Sequence, residues 1–120
     1  MTDKRIVLTT AGSEEEAQKI ARALVEQRLA ACVNIVPRIT SIYRWHGKVE
    51  EGGEWLLLVK TTAGAFDGVR SAIAELHSYD VPECVCLVIE DGSSHYLQWI
   101  AESMVPEEKN ASEAKSPYQY

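Results

Sequence analysis

Positive charge is in short supply in this chain: twelve Lys and Arg stand against eighteen Asp and Glu, a formal net charge of −6. Proteins that bind nucleic acid neutralise phosphates with Lys and Arg, so no nucleic-acid partner is expected. Long apolar runs are missing as well. The stretch Val85 to Ile89 is far short of the roughly 20 residues that cross a bilayer, which argues against a membrane partner. The first residues do not combine a basic start, an apolar stretch and a small-residue cleavage site, so no secretory leader is expected and the cytosol is the expected compartment. Cysteine is sparse and odd in number. Cys32, Cys84 and Cys86 lack the spacing of a disulfide framework and read as reduced thiols. A glycine-rich phosphate loop, His-Glu-x-x-His, Cys-x-x-Cys and Gly-x-Ser-x-Gly are all missing, so neither catalysis nor an organic cofactor is expected.

What is there is an ordinary globular composition, 46% hydrophobic and 25% charged over 120 residues, enough for one hydrophobic core. Residues 5 to 10 are β-rich and stop at Gly12, after which Ser13 and Glu16 form a capping-box signature. Ala17, Ile20, Ala21, Leu24 and Val25 then recur at helical spacing up to Leu29. Ala31 to His46 alternates, with Val33, Ile35, Ile39, Tyr43 and Trp45 on one parity, which predicts one long strand with a single dry face. Pro37 inside it marks an edge position or a bulge. Gly47 and Gly52-Gly53 punctuate a polar stretch before Trp55 to Val59, which is apolar at every position. Phe66, Val69, Ile73 and Leu76 predict a second helix ending near Ser78, Cys84 to Ile89 a last strand, and Ser93 or Ser94 the cap of a short third helix. The order βαββαβ predicts an α+β, ferredoxin-like split βαβ fold over residues 1–104: an antiparallel sheet, both main helices on one face, and an extra C-terminal helix. Residues 105–120 have no periodicity and read as a mobile tail.

Two features demand a partner. The strand Trp55 to Val59 is apolar on both parities, as in strands covered on both sides. A strand of sixteen residues, Ala31 to His46, spans about 50 Å, whereas a chain of this size has a radius of gyration of ~14 Å. The hairpin must overhang its domain, and a closed symmetric oligomer would cover it.

Several side chains could carry chemistry. His77 sits beside Tyr79, Asp80 and Glu83 in a short loop; it reads either as a helix-end residue of little weight in the core or, with Glu83, as a ligand pair for a divalent transition metal. Cys84 and Cys86 share one face of a strand and Cys32 enters another; packing is the plainer reading for all three. Tyr43 and Trp45 either pack in an oligomer or wall a pocket. Lys60, at the end of a buried strand, needs a carboxylate, a carbonyl or a bound anion. His46 and His95 read as surface residues.

Leu24 to Asn34 (LVEQRLAACVN), Ser41 to Lys48 (SIYRWHGK) and His77 to Glu83 (HSYDVPE), with Lys60-Thr61, Tyr96-Leu97 and Trp99-Ile100, together resemble the CutA divalent-cation-tolerance proteins over residues 6 to 101. The resemblance implies a ferredoxin-like fold, a homotrimer joined through strand edges, and a non-enzymatic role in tolerance of copper and other divalent metals. It also implies kinship in architecture with the PII signalling trimers, whose intersubunit clefts bind small effectors; Lys60, Tyr79, Trp45 and Cys32 are the cleft candidates for such an anion. A purely structural trimeric scaffold is the third possibility. In some members the copper ligands implied are a cysteine on the first strand and two adjacent histidines. The matching positions here are Thr9 and Leu76-His77, so copper(II) or another divalent ion would rest on His77 with help from Glu83.

Overall fold

Ser13 starts the first helix as its sequence signature requires: its side chain accepts the Glu16 backbone N–H at 3.2 Å, which satisfies one of the exposed donors of the first turn. The reciprocal half of the capping box does not form, because the Glu16 carboxylate is turned to another partner. A computed structural model describes residues 1–106; the tail expected over 105–120 lies outside the described residues from 107 onward. The described elements are β1 (Lys4–Ala11), α1 (Glu14–Glu26), β2 (Cys32–Trp45), β3 (Lys48–Thr62), α2 (Phe66–Leu76), β4 (Val85–Val88) and α3 (Ser94–Ser103). The strands pair antiparallel in the order β2-β3-β1-β4, the expected α+β ferredoxin-like arrangement.

The register sorts the sheet into two faces. Val7, Thr9 and Ala11 lie opposite Val59, Leu57 and Trp55, and this face packs against Ala17, Ile20 and Leu24 of α1 and Val69 and Ile73 of α2. Gly68 lets α2 come close: a Cβ there would stand 2.7 Å from Leu29 Cδ2. On the other face Ile6, Leu8 and Thr10 lie opposite Lys60, Leu58 and Leu56, while Val36, Val85 and Leu87 are exposed. α3 rests on β3 and β1. Its Ile100 is fully buried yet lies outside the core cluster of α1 and α2, so the helix seals a separate patch. Arg28 ties that helix down by donating from Nη1 to Ser103 O at 3.1 Å and Val105 O at 2.9 Å. Its own backbone is left-handed, with φ 58, at the point where α1 stops.

The described chain measures 54 × 30 × 29 Å, because the β2–β3 hairpin projects beyond the core. Its tip is a two-residue turn with φ 50 at His46 and φ 77 at Gly47, closed by the pair Trp45 and Lys48, the primed turn that matches strand twist. One sequence expectation needs correction here. Val36 faces Leu56 but Ile39 faces Glu54, so one extra residue is inserted at Pro37-Arg38, where Arg38 has φ 37. A one-residue insertion exchanges the faces. Ile39, Tyr43 and Trp45 therefore lie on the face opposite Val33 and Ile35, and the single dry parity is broken. Gly52-Gly53, which punctuates the polar stretch, lies inside β3 opposite Ser41 and Thr40. A Cβ at Gly53 would stand 3.3 Å from Nε of the exposed Arg38 side chain, a tight contact that the arginine can relieve by a small shift.

Candidate functional site

β1, α1, α2 and the hairpin root converge where β1 ends. The backbone N–H of His77 bonds Ile73 O at 3.0 Å and closes α2, which turns the ring inward; its side chain is 0% exposed. Nε2 lies 2.6 Å from Thr10 O. A carbonyl oxygen only accepts, so Nε2 carries the hydrogen. Nδ1 accepts the Tyr79 N–H at 3.0 Å and must be bare. The geometry fixes a neutral imidazole with one tautomer. Glu16 is the adjacent anion: Oε2 accepts the Ser78 N–H at 3.2 Å, and Oε1 stands 3.6 Å from Nδ1. Among the described residues Oε1 is buried without a hydrogen-bond partner.

Tyr79 continues the network. Its ring packs 4.5 Å from His77, and its hydroxyl donates to Glu54 Oε2 at 2.8 Å. It passes over Gly12, where a Cβ would stand 3.0 Å from the phenolic oxygen. Burial, joined by the Glu54 carboxylate, pushes the Tyr79 hydroxyl up to about 12. Burial alone would raise Glu54 too, but hydrogen bonds with Ser41, Tyr79 and Thr10 hold it below its ordinary value. Glu16, Glu54 and Thr10 are the members that sequence reasoning missed. The only sequence signal for Glu16 was its place in the capping box.

The other candidates lie apart from this cluster. Glu83 is exposed, and among the described residues no group of three or more His, Cys, Asp and Glu is disposed to hold a metal ion. Thr9 is fully buried on the core face, its hydroxyl without a partner among the described residues, and Leu76 packs on the core. Cys32 and Lys60 face each other across β2 and β3, with Nζ 3.9 Å from Sγ and bonded to Asn34 Oδ1. That pair is four residues along β3 from the Leu56–Thr10 level, roughly 13 Å. Trp45 stands at the hairpin tip, edge-on to His46 at 4.8 Å. The chain by itself thus does not gather Lys60, Tyr79, Trp45 and Cys32 into one cleft. Cys84 and Cys86 pack against the core, and burial pushes the Cys84 thiol up against the pull of Arg70. His46 and His95 are exposed, as expected.

An antiparallel sheet in the order β2-β3-β1-β4 with a long projecting hairpin and a loop pinned by a buried histidine defines a small α+β domain of ferredoxin-like architecture. Residues 5–103 match the family model described as CutA1 divalent ion tolerance protein, and the chain belongs to that family. It is 56% identical over 100 residues to the divalent-cation tolerance protein CutA of Thermus thermophilus, covering 83% of this chain and 97% of that one. The solved structure of that relative matches with a TM-score of 0.81. CutA from Xylella fastidiosa matches at 36% identity with a TM-score of 0.85, covering 87% of this chain and all of that one. Human Protein CutA is 46% identical over 91 residues, covering 76% of this chain. The chain spans about half the length of that human relative (51%). Among the described residues no helix is long and apolar enough to cross a membrane.

Proposed function

We propose that this chain is a non-enzymatic homotrimer that serves divalent-cation tolerance through its assembled form. The observation that carries the reading is the hairpin: Ile42 is 68%, Val49 65% and Trp45 53% exposed on an arm with a free β2 edge, a surface that a soluble chain would cover by pairing with copies of itself. A shallow depression between α1 and β2, lined by Ala21, Arg22, Val25, Glu26 and Val33, extends the same edge. The family descriptions supply the link to divalent cations.

The donors in the cluster do not fit a preformed metal site. Both His77 nitrogens are engaged within the protein, Glu83 is exposed, and neither Thr9 nor Leu76 adds a strong donor. A copper(II) or other divalent ion held by His77 and Glu83 would first have to displace the Tyr79 N–H from Nδ1. A second reading, a PII-like trimer that binds a small anion near Lys60, is favoured by one observation: the contacts of that ammonium on Asn34 and Cys32 are neutral acceptors rather than a carboxylate. Calorimetric titration of the full chain with copper, zinc, ATP and simple carboxylates tests both. Saturable metal binding supports the tolerance reading, saturable binding of an anion alone supports the second, and a trimer that binds none is the structural scaffold.

A further inference from the structure

We infer that His77, Tyr79 and Glu54 form a fixed lock between the α2–β4 loop and the root of the β2–β3 hairpin, and that the His77 ring is the pin of this lock rather than a metal donor. The inference follows from the hydrogen accounting. Thr10 O can only accept, so the hydrogen sits on Nε2; the Tyr79 N–H can only donate, so the Nδ1 lone pair is spent on it. No nitrogen lone pair remains for a metal, and the ring is held by β1 on one side and its own loop on the other.

The same loop then reaches the hairpin. Two residues after the pin, Tyr79 donates to Glu54 Oε2 at 2.8 Å. Glu54 lies opposite Ile39, the first paired residue past the Pro37-Arg38 insertion, so the lock grips the strand pair where its faces exchange. Ser41 and Thr10 share the same carboxylate, which joins β1, β2 and the loop to one side chain. Gly12 gives the phenol the room it needs. A strand pair is easiest to bend at a bulge, and the lock stiffens it there. His77, Tyr79 and Glu54 are positioning residues that set the direction of the arm. The consequence for assembly rests on the homotrimer reading; the lock itself does not.

The test uses the full chain by NMR. The imidazole nitrogens of His77 should show the neutral Nε2–H tautomer alone, and one equivalent of zinc chloride should leave them unmoved. Tyr79→Phe and Glu54→Gln should each speed amide exchange of residues 39–54 about tenfold or more, as expected on losing a hydrogen bond to a charged acceptor. Val7 and Val59 in the core strands should keep their protection. A hydrogen on Nδ1, a zinc-induced shift at His77, or unchanged hairpin exchange in both variants would overturn the inference. Sedimentation of the parent separates the two readings: a monomeric parent with a fast-exchanging hairpin in the variants defeats the trimer and leaves the lock standing.

Discussion

Tyr79 donates its hydroxyl hydrogen to Glu54 Oε2 at 2.8 Å, and this one bond joins the α2–β4 loop to the hairpin that leaves the domain. Both groups register the contact: burial and the carboxylate push the phenol up to about 12, and the hydrogen bonds hold the carboxyl down.

The phenol gives an alkaline signature. A pKa raised on folding means stability fully present below the unfolded value near 10 and lost as pH rises through about 12. Ultraviolet difference titration of the chain, which has five tyrosines, should show one that ionises last and together with unfolding. Tyr79→Phe should remove that late step; a late step that survives the substitution places it elsewhere.

The carboxylate gives the opposite sign. A pKa lowered on folding contributes stability above the unfolded value of 4.5 and loses it as pH falls through the folded value. Glu54→Gln should therefore be less stable than the parent at neutral pH, and the gap should close in acid. Urea midpoints measured for both proteins across that range check it, and a gap that stays constant with pH refutes it.

His77→Ala should cost stability rather than spare it. The substitution leaves the buried Thr10 O and the part-buried Tyr79 N–H without their partner, and an unsatisfied buried group costs about 1–3 kcal/mol. Urea denaturation should show a loss of about 3 kcal/mol, where a helix-end residue on the surface would give almost none.

The hairpin tip offers a contrast between glycines. Gly47 has φ 77 with nothing within 4 Å of a Cβ, so Gly47→Ala tests backbone strain alone and should cost about 1–2 kcal/mol. Gly64 is equally open but outside the left-handed region, so Gly64→Ala should be neutral or stabilise by up to ~1 kcal/mol. Thermal or urea unfolding of the two variants separates them, and equal effects would contradict the turn geometry.

Much of the fold was legible because it depends on local pattern. Ser13 marks a helix start, the alternation of Val33 and Ile35 a strand, and Pro37 an edge or a bulge; it turned out to be both. What Pro37 could not announce is the exchange of faces, because an inserted residue leaves the alternation of Ile39, Tyr43 and Trp45 intact and only shifts its phase relative to β3. The candidate site was legible in two residues, His77 and Tyr79, which lie in one loop. Glu16 was hidden by a competing local role, since a capping box and a carboxylate aimed at Ser78 look the same in sequence. Glu54 was hidden beside Gly53 in a polar stretch that carried no strand pattern. The state of the His77 ring depends on Thr10 O, far away in the chain, and only the fold brings that carbonyl to it.

On the proposed reading the projecting hairpin is an assembly arm. Sedimentation velocity of the full chain at micromolar concentration decides this. A single species with three times the chain mass of 13.4 kDa is expected, and Ile42→Lys combined with Val49→Lys should release the monomer. A parent that sediments as a monodisperse monomer, with its hairpin exposed to water, would contradict it.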